Sequence, residues 1–221
     1  NVPLPIKDSI ILAGKGSDST ILLFNLGGQA TNCLNISSGQ NAGFQNVLSG
    51  FEKGSIKLTV SNPEVFLAGD FAEIRQQNGP WDTNPVSWAD YSVGQMVRVT
   101  HTAGDTLFLE SALRFTYDET LNPEIRKINP KVNTGVENLK IIRQDEPAEG
   151  AGSNINLSYA VNCRIAGVES DHSVGSHINM HYCSNIQITG CYIHDAFTYD
   201  GSGTRVYGVC LSMHTGECLI T

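Results

Sequence analysis

Apolar and polar residues alternate in short runs along most of the chain, and in its last third the runs return at a nearly fixed interval. Setting Asn138, Asn162 and Asn185 in register, 24 and then 23 residues apart, superposes Leu139, Cys163 and Ile186, and also Ile141, Ile165 and Ile188. The run before each asparagine aligns as well, Ile155 with Ile178 and Leu157 with Met180. A third copy, YGVCLSMHTGECLIT, places Val209 and Leu211 on those positions and Cys218 and Ile220 on the later pair, after a longer loop. Alternation at period two marks strands with one buried face. A period in the low twenties that stacks like on like marks a solenoid whose rungs are turns of a β-coil. The Leu-x-x-Leu-x-Leu consensus is absent and no helical segment follows each strand, which leaves a parallel β-helix. One buried column is expected from Ile141, Ile165, Ile188 and Ile220, and another from Ile155, Ile178 and Val209.

The rhythm changes between residues 51 and 118. GSIKLTV, GDFAEIRQ, GQMVRVTHTAG and DTLFLES are short alternating strands set between Gly, Asp and Pro turns, and nothing in them repeats at 23. Ile56, Leu58 and Val60 make one apolar face, Val97 and Val99 another. This stretch is expected to be an antiparallel, barrel-like insertion, flanked by β-helix rungs at 1–50 and 119–221. Its loop NGPWDTNPVSWADYSVG holds both tryptophans, Trp81 and Trp88. Exposed, they would form a platform on which sugar rings stack; buried, they would plug the barrel.

The stretches IILAGKGSDSTILLFNL, VENLKII, VNCRIAGV and SNIQITGCYI resemble the right-handed parallel β-helix of the pectate-lyase-like superfamily. The asparagine before each core strand is similar to the turn asparagines that ladder in those proteins. The resemblance covers residues 1–50 and 130–221. It implies an all-β protein, a right-handed parallel β-helix with an antiparallel β insertion. That superfamily includes polysaccharide lyases, glycoside hydrolases, uronate epimerases, phage tailspikes and non-catalytic surface proteins, so the fold does not choose among activities. The expectation that follows is a secreted or cell-surface protein acting on an extracellular polysaccharide, lyase-like in mechanism. The alternative is a non-catalytic adhesin, a tailspike-like protein or a filament-forming one.

Composition narrows the partners. The net charge of −8 argues against a general nucleic-acid binder, and no run reaches the roughly 18 apolar residues of a membrane span. No signal peptide is visible at the start. The chain stops at CLIT, partway through a rung, so further chain after Thr221 or end-to-end association of copies is expected. The six cysteines are better explained as small core hydrophobes than as a disulfide framework. Asn35 and Asn156 stand in glycosylation sequons, a pattern common by chance.

Candidate chemistry gathers near the end. Five of the six histidines, His172, His177, His181, His194 and His214, lie in the last 50 residues. The 23-residue register sets Asp171 beside His194 and His172 beside Asp195. A carboxylate beside an imidazole raises its pKa and fixes its tautomer, which suits a general base or a metal ligand. The plain alternative is a structural Asp–His ladder. A uronate lyase needs a base and a group that neutralises the substrate carboxylate. His194 or Tyr207 would be the base, with Asp171 and His172 beside it, and Arg205 the neutraliser. Calcium held by Asp195 and Asp200 would assist. Trp81, Trp88 and His214 are expected to contact the sugar. A hydrolase would instead need two carboxylates at a defined separation.

Overall fold

A computed structural model of the protein describes residues 2–39, 41–146, 152–197 and 207–221. The chain divides into two compact units, one of Asn1–Ser38, Pro130–Ser212 and Glu217–Thr221, the other of Gly39–Asn129 and Met213–Gly216. No helix is long and apolar enough to cross a membrane.

The first unit is a right-handed parallel β-helix of three sheets. Its first sheet stacks Leu4–Pro5, Leu34–Ser37, Ser153–Val161, Ser176–Ser184 and Tyr207–Ser212. The second stacks Ile11–Ala13, Gly135–Glu137, Arg164–Ala166, Gln187–Thr189 and Leu219–Ile220. The third stacks Ile21–Phe24, Lys140–Arg143, Glu169–Asp171 and Tyr192–His194. Period-two alternation turns every second side chain inward, so each sheet contributes columns to one core. Leu34, Ile155, Ile178 and Val209 form one column. Leu12, Val136, Ile165, Ile188 and Ile220 form another. Each fully buried Ile or Leu contributes about 1.5 to 3 kcal/mol.

One expected alignment is corrected. Ile141 does not stack on Ile165. It lies in the third sheet between Leu22 and Ser170, whereas Ile165 rests on Val136. The interval for this rung is 29 residues, because Ile142 and Ser153 are 11 apart where Asp171 and Ser176 are 5 apart. The asparagines that occupy equivalent corners are therefore Asn133, Asn162 and Asn185, with φ of 53°, 56° and 54°. Asparagine tolerates this left-handed conformation better than most residues, and Asn185 Nδ2 donates to Asn162 Oδ1 at 2.8 Å. A second ladder runs from Asn179 to Asn156 (2.9 Å) and on to Asn35 (3.1 Å). The two sequon asparagines are thus engaged in stacking rungs.

Buried polar groups inside this unit are matched. Arg143 donates to the carbonyls of Gln29 and Thr31 and to Asp145, while Asp145 accepts from the amides of Leu26 and Gly28. Where Ser170 interrupts an apolar column, Asn154 Nδ2 donates to its hydroxyl at 2.9 Å. That hydroxyl reaches His177 Nδ1 at 2.9 Å, and His177 Nε2 donates to the Asp195 carbonyl. Cys33, Cys163 and Cys183 fill core slots, and burial pushes the Cys33 thiol up to about 11 and that of Cys183 to about 12.

The long first-sheet strands bend at Tyr159 and Tyr182, both at positive φ, and their rings stack at 4.6 Å. Ser158 pairs with Ser37 and Ala160 with Lys131. Leu34–Ser37 and Lys131–Val132 together therefore match one long strand, and the second unit is inserted at its bend. On the next rung Ser212 pairs with His181, so Met213 takes the bend position, with φ of 40°, and the chain leaves again.

The second unit is a closed six-stranded antiparallel barrel of Gln45–Ser49, Lys57–Val60, Phe71–Gln76, Val93–Ala103, Thr106–Leu109 and Glu124–Ile128. It reaches beyond 51–118 on both sides, since Gln45–Ser49 and Glu124–Ile128 pair with each other and close it. Leu58, Val60, Phe66, Ile74, Val99, Leu107 and Ile125 fill its interior, while Ile56 is exposed.

Candidate functional site

The third sheet of the β-helix assembles the expected His/Asp cluster. Strand register sets Asp171 on His194, and the following residues, His172 and Asp195, both turn at positive φ. The same register sets Lys140 under Glu169, and alternation brings Glu169 and Asp171 to one face. Lys140 Nζ donates to Glu169 Oε1 at 2.7 Å and to Asp171 Oδ2 at 3.0 Å. His172 Nδ1 donates to Asp171 Oδ1 at 2.6 Å. His194 meets a carboxylate at each ring nitrogen, Asp195 Oδ2 at 2.9 Å and Glu169 Oε1 at 3.1 Å. Tyr192 stacks on His194 at 4.4 Å.

Electrostatics decide what this cluster can do. Only the imidazolium donates from both nitrogens, and the bond to Asp195 raises the pKa of His194, with burial opposing and Glu169 adding to the rise. Lys140 holds Glu169 below the usual carboxylate range. Burial would raise Asp171, but Lys140 and His172 outweigh it and lower it. A base must accept a proton and a glycosidase acid must hold one. Here the contacts favour the protonated form of His194 and the ionised forms of Glu169 and Asp171, the arrangement of an ionic ladder. Asp171, His194 and Asp195 place donor atoms within 4.8 Å of one another. Lys140 already neutralises Asp171, and calcium takes oxygen ligands rather than imidazole.

Among the described residues, Tyr207 and His214 lie apart from this cluster. Tyr207 begins a first-sheet strand, in register with Ser176, and so does not stack with the third-sheet cluster. Arg205 and Asp200 lie outside the described residues. His214 belongs to the barrel unit, where it is buried with Nδ1 at 3.0 Å from Glu73 and Nε2 donating to the Tyr91 carbonyl at 2.7 Å. A ring enclosed in that way cannot touch a sugar, and the expectation for His214 is corrected. Lys140 and Glu169 escaped the sequence reading, because a 24-residue register sets Lys140 beside Arg164, while the true 29-residue interval sets it on Glu169.

The barrel unit carries a second candidate on the connection between Phe71–Gln76 and Val93–Ala103. Trp81 and Trp88 are 56% and 77% exposed, so neither plugs the barrel. The same loop forms a cleft of about 390 Å³ lined by Gln77, Asn78, Gly79, Asp82, Pro85, Asp90 and Tyr91. Asn78 ties the loop together, donating to Asp82 (2.7 Å) and the Ala89 carbonyl (3.0 Å) and accepting from the amide and hydroxyl of Ser92. The Tyr91 ring lies on the Arg75 guanidinium at 3.8 Å, with Phe44 on Arg75 at 3.7 Å.

No family model matches the chain, and no curated protein matches it. Solved structures do. The tailspike protein gp49 from Pseudomonas phage LKA1 is 19% identical and superposes over 97% of this chain with a TM-score of 0.67. The Pseudomonas phage phi297 tailspike gp61 is 13% identical over 95%, with a TM-score of 0.61. The Gp54 tailspike of Acinetobacter baumannii bacteriophage AP22, solved in complex with A. baumannii capsular saccharide, is 15% identical over 88%, with a TM-score of 0.52. The likeness is one of fold. The chain spans 36%, 37% and 39% of those three proteins.

Proposed function

We propose that this chain is the polysaccharide-recognising part of a tailspike-like protein that meets a bacterial surface glycan outside the cell. The observation that carries the reading is a β-helix with a barrel inserted in it that superposes on a tailspike over 97% of its length. The saccharide complex of Gp54 points to the class of partner. Binding of the purified chain to an array of bacterial capsular polysaccharides and lipopolysaccharide O-chains tests the proposal. Retention of at least one polymer is expected, and a folded protein that retains none overturns it.

The lyase reading is the finer alternative. It asks His194 to act as base, Arg205 to bind the substrate carboxylate, and calcium to sit at Asp195 and Asp200. The contacts of His194 favour a role in the ladder instead. His194→Ala is therefore expected to lower stability and to leave glycan binding unchanged. Unsaturated products released by the parent chain and abolished in His194→Ala at unchanged melting temperature would restore the lyase.

A further inference from the structure

We infer that the cleft on the barrel's Gln77–Tyr91 loop is a glycan subsite selective for uncharged sugar rings, hexoses or N-acetylated aminosugars, over uronates. The inference rests on the polysaccharide reading and adds a place and a chemical class to it.

Two indoles exposed on one short loop are the first ground. Each presents a large rigid apolar face that forgoes burial unless a ligand covers it. A sugar ring offers a matching face of C–H groups and a rim of hydroxyls. The second ground is the cleft on the same loop, whose volume of about 390 Å³ falls in the range of small-ligand sites. Gln77 contributes an amide, and Asp82 and Asp90 contribute carboxylates that accept from hydroxyl or N-acetyl N–H donors. No Lys or Arg is among the residues lining it. Arg75, beneath Tyr91, is already paired with Glu124 at 2.6 Å. A uronate carboxylate would meet charges of its own sign without a partner, and the net charge of −8 adds repulsion at longer range. The third ground is preorganisation. Asn78 closes the loop from both ends and His214 holds the Tyr91 carbonyl, so little ordering remains for binding to cost.

The test uses the full chain against dextran, galactan and chitooligosaccharides on one side and polygalacturonate and alginate on the other. Tryptophan emission and immobilised-glycan binding are read at low and high salt. At least one uncharged glycan should bind with a blue shift, weakened 10-fold or more in Trp81→Ala and in Trp88→Ala at unchanged circular dichroism. The uronate polymers should bind at least 10-fold more weakly, and Asp90→Asn or added salt should narrow that gap. Preference for uronate polymers overturns the inference. So does uncharged-glycan binding that survives in the double tryptophan variant, a result that leaves the polysaccharide reading standing. A folded chain that binds no glycan overturns both.

Discussion

Asp145 accepts from the amides of Leu26 and Gly28 while Arg143 donates to both of its carboxylate oxygens. Burial would raise its pKa, but the hydrogen bonds from Arg143, Leu26 and Gly28 outweigh that and lower it to about 2. The sign follows from linkage: a carboxyl depressed on folding stabilises the native state above its unfolded pKa of 3.8 and loses that contribution as pH falls through about 2. The depression corresponds to roughly 2 kcal/mol. Asp145→Asn is expected to lower the urea midpoint clearly at pH 6, with the difference from the parent closing toward pH 2. A difference that persists at pH 2 would show that the carboxylate's charge is not what matters. The same reasoning at residue scale separates the two candidate sites. In the third-sheet cluster every charge shown has an opposite charge within reach, whereas the barrel loop leaves two indoles without cover.

At the scale of the element, each rung depends on a corner that accepts positive φ and on inward side chains in register. Asn162 does both kinds of work, adopting φ of 56° and accepting from Asn185. Asn162→Ala is expected to cost about 1 to 2 kcal/mol, and Asn162→Gly should recover the conformational share without the ladder bond. Thermal unfolding of the two variants distinguishes them; equal losses would mean that the bond alone matters. Ile188 sits between Ile165 and Ile220 in the second-sheet column. Ile188→Val should cost about 1 kcal/mol, while Ile188→Asp places a carboxylate without a partner in the core and should prevent folding, read by far-ultraviolet circular dichroism. These columns were legible as Ile165, Ile188 and Ile220 and as Ile155, Ile178 and Val209, because like residues recur on one face at period two. Ile141 was not, since six extra residues between Ile142 and Ser153 shift that rung without altering its alternation.

At the scale of the whole molecule there are two cores, one in each unit. Leu58→Ala and Ile165→Ala should each cost about 2 to 5 kcal/mol, and hydrogen exchange should quicken first in the barrel for Leu58→Ala and first in the rungs for Ile165→Ala. Uniform quickening from either lesion would mean that the chain unfolds as one. The sequence by itself determined the β-helix, the presence of an antiparallel insertion and the meeting of Asp171 with His194, because all three follow from periodicity along a single chain. It could not mark the insertion's edges, since what makes Gln45–Ser49 and Glu124–Ile128 barrel strands is their pairing with each other, across a long stretch of chain. Nor could it settle the chemistry of the cluster. Lys140 and Glu169 are remote from His194 in sequence and reach Asp171 or the imidazole through stacking alone. Whether a histidine is a base or a fixed cation depends on what faces both of its nitrogens, and that is decided only when the rungs are laid on one another.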